Sequence, residues 1–167
     1  MRKEAALVII KPDGLNKKIV DKVLSKFAKA NLQIIAARLT QAGLQQAQTH
    51  YQHIKNQPFF KDTVALLMGK FHRQKEILLF VYYGAHAIAQ CREIAGATNP
   101  EEASNQSIRG LYGSVTKDGV FENVVHVSSS VQEARREIQL WFEPDEIIID
   151  LYSTRIKKYS TQKRVWK

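Results

Sequence analysis

The chain has 167 residues, 44% of them hydrophobic and 25% charged, which suits one globular domain with a real core. Its net charge of +9 calls for an anionic partner, whether nucleotide, nucleic acid or membrane surface. The apolar run Ala5–Ile10 is too short to span a membrane, Met1-Arg2-Lys3 makes no signal peptide, and the lone Cys91 excludes an intrachain disulfide and favours a reducing, cytoplasmic setting.

In chain order, Ala5–Ile10 reads as a buried strand. It ends at Lys11-Pro12-Asp13-Gly14, where Pro12 keeps Lys11 extended and Asp13-Gly14 turns the chain. Val20, Val23, Leu24, Phe27 and Ala28 follow the spacing of an amphipathic helix. A strand is expected over Leu32–Leu39, then a helical stripe of Leu44, Ala47, Tyr51 and Ile54. Pro58 suits the first position of a further helix running to about Gly69. Ile77–Tyr83 is a third strand by its aliphatic and aromatic content. Ile88 and Ala95 mark a helix that also carries Arg92. A loop from Gly96 to about Gly119 is long enough to suggest a functional role. Glu122–Val127 reads as a fourth strand. Ser130-Val131-Gln132-Glu133 fits a capping box that opens a last helix with the stripe Val131, Ala134, Ile138 and Trp141. Four strands with interposed helices predict an α+β sandwich. One domain over residues 1–150 is expected, with residues 151–167 as a basic C-terminal extension. That extension holds six basic residues and no acid, leaving +3 on the rest of the chain.

The chemistry-bearing residues are single cations and a histidine at element ends. Lys11 ends a strand, and Arg92 and Arg109 stand near loops. Guanidinium forks match phosphate oxygens, and lysine supplies a compact charge. Neither G-x-x-x-x-G-K-[ST] nor G-x-G-x-x-G occurs, so the common phosphate cradles are absent. His126 lies at a strand end beside a serine-rich helix start, whose free N–H groups suit an anion. Glu137, two turns inside that helix, is placed to orient the ring. A neutral imidazole is a competent phosphoryl acceptor near neutral pH.

Several segments, in order, carry a resemblance: Lys11-Pro12-Asp13-Gly14, His50-Tyr51, Pro58-Phe59-Phe60, Gly96-Ala97-Thr98-Asn99-Pro100, Ile108-Arg109-Gly110, Asn123-Val124-Val125-His126 and Glu137-Ile138-Gln139-Leu140-Trp141-Phe142. Over about Ala5 to Ile147 the chain resembles the nucleoside diphosphate kinases. The resemblance implies a ferredoxin-like fold: a four-stranded antiparallel sheet with helices packed on it. It implies transfer of the γ-phosphate of ATP or another nucleoside triphosphate to a nucleoside diphosphate, in two steps through a phosphorylated His126. It makes Lys11 the residue holding sugar hydroxyl and phosphates, Arg92, Thr98 and Arg109 the phosphate clamp, and Asn123 the ribose contact. Phe59 becomes the stacking ring for the base, opposite Val120. Tyr51, Ser128 and Glu137 become the support of His126. Mg²⁺ is implied, held mainly by the nucleotide phosphates and with no direct protein ligand. Stacking without base-edge hydrogen bonds implies indifference to base identity. A homo-oligomer of at least a dimer is implied, with tetramers or hexamers among the family's assemblies. No membrane association is implied. Nucleic-acid contact through the basic tail is compatible with its charge but is not the main function.

The chain departs from the family at four places. His126-Val127-Ser128-Ser129 stands where His-Gly-Ser-Asp is usual, and Ser104-Asn105-Gln106 replaces Lys-Pro-Gly. The stretch from Arg109 to Asn123 is longer by about four residues, and a further insertion lies near Phe71–Glu76. A basic RNA-binding module is the competing class, but the aromatic RNP pattern is missing.

Overall fold

The computed structural model describes residues 3–158. Strand β1 (Lys3–Ile10) is the expected apolar run, and Ala5–Ile10 is buried throughout, as a central strand covered on both faces must be. It lies between β3 (Glu76–Ala85) and β6 (Val125–Val127), antiparallel to both, and β2 (Gln33–Gln41) pairs with β3 at the outer edge. The sheet order is β2-β3-β1-β6. Helices α5 (Ala87–Ala95) and α7 (Val131–Trp141) pack on β1, sealing the core with Ala87, Cys91, Ala134, Ile138 and Trp141. This is the ferredoxin-like α+β sandwich. Helix α2 (Val20–Phe27) buries Val23 and Phe27, with the Phe27 ring stacked on Tyr82 at 5.2 Å. Trp141 is core, as its position on the last stripe predicts, whereas Val131 on that stripe is half exposed.

Several elements differ from their sequence reading for local reasons. Pro12-Asp13-Gly14 does not simply turn the chain: Pro12–Asn16 form a short helix, α1, with Pro12 at its first position. The stripe through Ile54 is helical only as far as His50 (α3, Leu44–His50) and continues as a 3₁₀ turn, Gln52–Ile54. Pro58 does not open a helix. Helix α4 spans Phe60–Leu67, with Phe59 as its N-cap residue. The loop after Gly96 is only partly a loop. It contains α6 (Ile108–Tyr112), capped by Ser107 Oγ accepting from Gly110 N, and a hairpin of β4 (Ser114–Val115) with β5 (Phe121–Glu122). The capping box at Ser130 is half made. Ser130 Oγ accepts from Glu133 N at 3.2 Å, but the Glu133 carboxylate turns to Arg136 at 2.5 Å.

The expected strand Glu122–Val127 is broken in two, and the break holds a strained piece of backbone. Val124 has φ +68, a region costly for a β-branched residue, and Val125 N donates to Asn123 O at 2.7 Å across it. The fully buried Asp13 holds this turn: its Oδ2 accepts from Val124 N at 2.7 Å, while Lys11 N donates to Val124 O at 2.8 Å. Gly14 lets α1 approach, since a Cβ there would meet Ile10 and Val124 side chains at 3.0 Å.

Removing the Asp13 carboxylate leaves a buried N–H at a strained turn without its acceptor. Asp13→Ala is expected to lower the unfolding free energy by about 2–3 kcal/mol, the range for losing a charged buried hydrogen bond. Urea denaturation of the variant measures this, and a loss under about 0.5 kcal/mol would contradict it.

Candidate active site

Residues from the end of β1, from β6, α5, α6 and α7, and from the α3–α4 segment surround a cleft of about 510 Å³. Lys11, Arg92 and Arg109 line it, with Thr98 and Asn123 between them. Phe59, half exposed, and Val120 at the hairpin tip also line it. His126, Glu137 and Tyr51 form the floor; Ser128 is one layer deeper and reaches the cleft only through Glu137. The structure therefore brings together every residue that the sequence singles out.

His126 is held from several sides. Its Nε2 lies 3.0 Å from Glu137 Oε1, and Glu137 Oε2 accepts from Ser128 Oγ at 2.6 Å. Ser128 is itself fixed to β1, its Oγ accepting from Leu7 N at 3.1 Å. The rings of His50 and Tyr51 meet that of His126 at steep angles, with centroids 4.3 Å and 6.1 Å away. Burial pushes the Glu137 carboxyl upward, but the His126 charge, its hydrogen bond and the Ser128 hydroxyl outweigh this and lower the pKa to about 2. Glu137 is thus ionised and has no proton to donate. The contact requires Nε2–H on His126, so in the neutral ring the lone pair is on Nδ1.

The cations are held differently. The Lys11 side chain is buried, and desolvation lowers its pKa against the pull of Asp13, whose Oδ1 lies 3.9 Å away. Arg109 is anchored through Nη1 to Gly96 O at 2.8 Å and through Nη2 to Val125 O at 2.9 Å. Burial lowers its pKa to about 10, so it stays charged at neutral pH. Arg92 is exposed on α5. Asn123 Nδ2 donates to Thr98 O at 2.8 Å, which ties the loop after α5 to the strained turn. Burial raises the Tyr51 pKa, keeping its phenol protonated. Val127 lies within β6 and outside the positive-φ region, so a β-branched residue is unstrained there.

Sequence reasoning assigned no role to three residues that matter here. Asp13 supports the turn before His126. Arg136 donates to the carbonyls of Thr49 and His50, at 2.7 and 2.9 Å, fastening α3 to α7. His50 is fully buried and accepts from Trp141 Nε1 at Nδ1 (3.2 Å). Burial, reinforced by the nearby His126 charge, drives the His50 pKa well down, so it is neutral. The pair His50-Tyr51 was visible in the sequence, but its contact with His126 depends on packing of α3 against α7.

Ligand atoms of His50, His126 and Glu137 lie within 4.8 Å of one another. They do not fit a metal. Trp141 can only donate, so it occupies the Nδ1 lone pair of neutral His50, and Nε2 then carries the proton. A magnesium ion also prefers oxygen ligands to imidazole. The three cations lining the cleft suit phosphate oxygens instead.

The profile of the nucleoside diphosphate kinase family matches residues 4–147. A nucleoside diphosphate kinase of Legionella pneumophila is 40% identical over 147 residues, which cover 88% of this chain and 98% of the relative. The Aquifex aeolicus enzyme of that name superposes with a TM-score of 0.78 at 32% identity, over 87% of this chain and 99% of its own. The Borrelia burgdorferi enzyme, solved as a transition-state mimic with vanadate and ADP, gives 0.77 at 26% identity over 92% and 93%.

The Glu137 network makes a signed prediction. A carboxyl whose folded pKa is depressed from 4.5 to about 2 contributes stability that is complete above about pH 4.5 and is lost as pH falls toward 2. Glu137→Gln should therefore be less stable than wild type at neutral pH, and the gap should narrow across that window. Denaturation at a series of pH values tests this; a gap that is constant down to pH 2 would contradict it.

Proposed function

This chain belongs to the nucleoside diphosphate kinase family, and from that premise we propose that His126 is the group that carries the phosphoryl between nucleotides. The protein is a phosphotransferase that moves the γ-phosphate of a nucleoside triphosphate, ATP typically, to a nucleoside diphosphate. The observation that carries the residue assignment is the tethering of His126 Nε2 by Glu137, which leaves Nδ1 as the free nitrogen of a ring lining a cationic cleft.

In the first half-reaction Nδ1 attacks the γ-phosphorus in line. The N–P bond forms, the P–O bond to the bridging oxygen breaks, and its electron pair leaves with the diphosphate. In the second, a terminal oxygen of another diphosphate attacks the same phosphorus and the N–P bond breaks. One nitrogen serves donor and acceptor in turn, which makes the cycle ping-pong. Glu137 stabilises the positive charge that develops on the ring. Lys11, Arg109 and Arg92 meet charge spread over the equatorial oxygens, where placement and electrostatics contribute most. Asn123 and Lys11 take the sugar hydroxyls, and Tyr51 and Ser128 keep the histidine in place. The base lies on Phe59 opposite Val120.

The family requires a divalent metal, and we assign Mg²⁺. When bound, it neutralises charge on the phosphates, which supply most of its ligands. We assign residues 1–150 to the kinase domain and residues 151–167 to its basic extension, whose Lys163, Arg164 and Lys167 lie outside the described residues. Assembly into at least a dimer is supported by the exposed Ile34 and Leu39 on edge strand β2; tetramers or hexamers would build on that unit. Ser104-Asn105-Gln106 occupies the loop before α6, where the family's Lys-Pro-Gly assists higher assembly. The single cysteine of the chain, Cys91, leaves no intrachain disulfide to form, which suits the cytoplasmic setting we assign. No helix among the described residues is long and apolar enough to cross a membrane.

His126→Ala should abolish phosphate exchange between ATP and a second diphosphate; wild-type turnover would end the assignment. Arg109→Ala should lower kcat/KM by at least about tenfold for ADP, GDP, CDP and UDP alike, since it acts on phosphate. A loss confined to one base would contradict that role.

A further inference from the structure

Two segments that the family resemblance marks as longer than usual, the stretch between Arg109 and Asn123 and the turn near Phe71–Glu76, meet at one side chain, Glu122. The hairpin β4–β5 pairs only Ser114 with Glu122 and Val115 with Phe121, and its turn is closed by Thr116 N to Val120 O at 3.0 Å and Gly119 N to Thr116 O at 2.9 Å. Two residues per strand do not make a hairpin that stands alone. Yet its tip, from Asp118 to Phe121, lines the same cleft as Phe59. Something outside the hairpin must hold it there.

The turn between α4 and β3 supplies the anchor. Gly69 has φ +68, and a Cβ there would meet the Lys75 backbone at 2.6 Å, so the chain folds back tightly after α4. This turn buries His72 against the hairpin, with Nε2 3.3 Å from Glu122 Oε1 and only 9% of the side chain exposed. Among the described residues that buried Nε2 makes no aligned hydrogen bond, so its polar contact here is the close approach of the Glu122 carboxylate. From the other side Lys17, at the end of α1, places Nζ 3.8 Å from Glu122 Oε2, 2.9 Å from Tyr112 O and 3.3 Å from Ser114 Oγ. Ser114 Oγ donates to Glu122 Oε2 at 3.4 Å. Glu122 is therefore clamped between three elements, with 18% of its side chain exposed.

We propose that His72, Glu122 and Lys17 form a latch that fixes the outer wall of the nucleotide-base subsite, with His72 and Glu122 as positioning residues for nucleotide binding. The proposal rests on the kinase reading of the cleft. A wall already in place before the nucleotide arrives removes the ordering cost from binding. The latch touches neither His126 nor the phosphate clamp, so its loss falls on affinity. Glu122 also adds to the negative field at Lys11, but His72 stands beyond it, which separates the two effects.

The test uses the full chain with His72→Asn, Glu122→Gln and the double variant. ADP binding is followed by calorimetry, and ATP-to-GDP exchange by steady-state kinetics. Each single variant is expected to weaken the ADP Kd by about threefold to tenfold. For His72→Asn, kcat at saturating nucleotide should stay within about twofold of wild type. The double variant should bind ADP no worse than the weaker single variant, because both break one latch. Unchanged ADP affinity in the single variants, additive losses in the double variant, or a His72→Asn loss confined to kcat would each overturn the proposal. Absence of exchange in the wild type would instead overturn the kinase reading, and ADP binding would still decide whether the latch shapes the cleft.

Discussion

The Asp13 carboxylate is the contact on which the site geometry depends. It is completely buried, and one oxygen takes the N–H of Val124, a residue held at φ +68. A β-branched residue there is stable only when its surroundings dictate the conformation. Asp13 is placed to do so because Pro12 starts a helix straight off β1, and Gly14 leaves room for the turn to press against it. The strained turn in turn separates two tasks along one stretch of chain. Before it, Asn123 points its amide to the loop after α5. After it, Val125–Val127 rejoin the sheet and carry His126 opposite Ile9. A regular strand through Glu122–Val127 would alternate faces without interruption and would not divide these roles.

Around this backbone the charges are sorted by depth. The deepest layer is Ser128, Glu137 and neutral His50, fixed by Leu7 and Trp141. Above it the His126 ring has one nitrogen occupied and one available. Lys11 and Arg109 are buried cations whose desolvation is offset by Asp13 in one case and by backbone carbonyls in the other. An anionic phosphate chain would complete that compensation. Such buried positive charge favours the ligand in the cleft and remains aligned for the transition state, with little reorganisation at the moment of transfer.

Much of the fold was legible from periodicity. The buried run Ala5–Ile10, the stripe of α2 and the aliphatic β3 each follow from one-dimensional pattern, because their burial is uniform or one-sided. The site residues were legible in a different way, through short segments in a characteristic order. Reading failed where tertiary contacts override local preference. Nothing in Glu122–Val127 announces a positive φ at Val124, since the acceptor that enforces it lies 111 residues away at Asp13. Pro58 is a good helix starter by itself, yet the helix begins at Phe60, which leaves Phe59 at the mouth of the cleft. The hairpin β4–β5 was hidden in what looked like a loop because two-residue strands carry no periodicity. The place of His50 beside His126 likewise depends on α3 meeting α7.

The central claim is that His126, tethered at Nε2, accepts a phosphoryl group on Nδ1. The most direct measurement is brief incubation with γ-labelled ATP in the absence of an acceptor diphosphate, followed by mapping of the label and nuclear magnetic resonance of the phosphorylated imidazole. The account predicts one acid-labile phosphoryl group per chain, on Nδ1 of His126. Acid-stable label, label on another residue, or phosphorylation at Nε2 would contradict it.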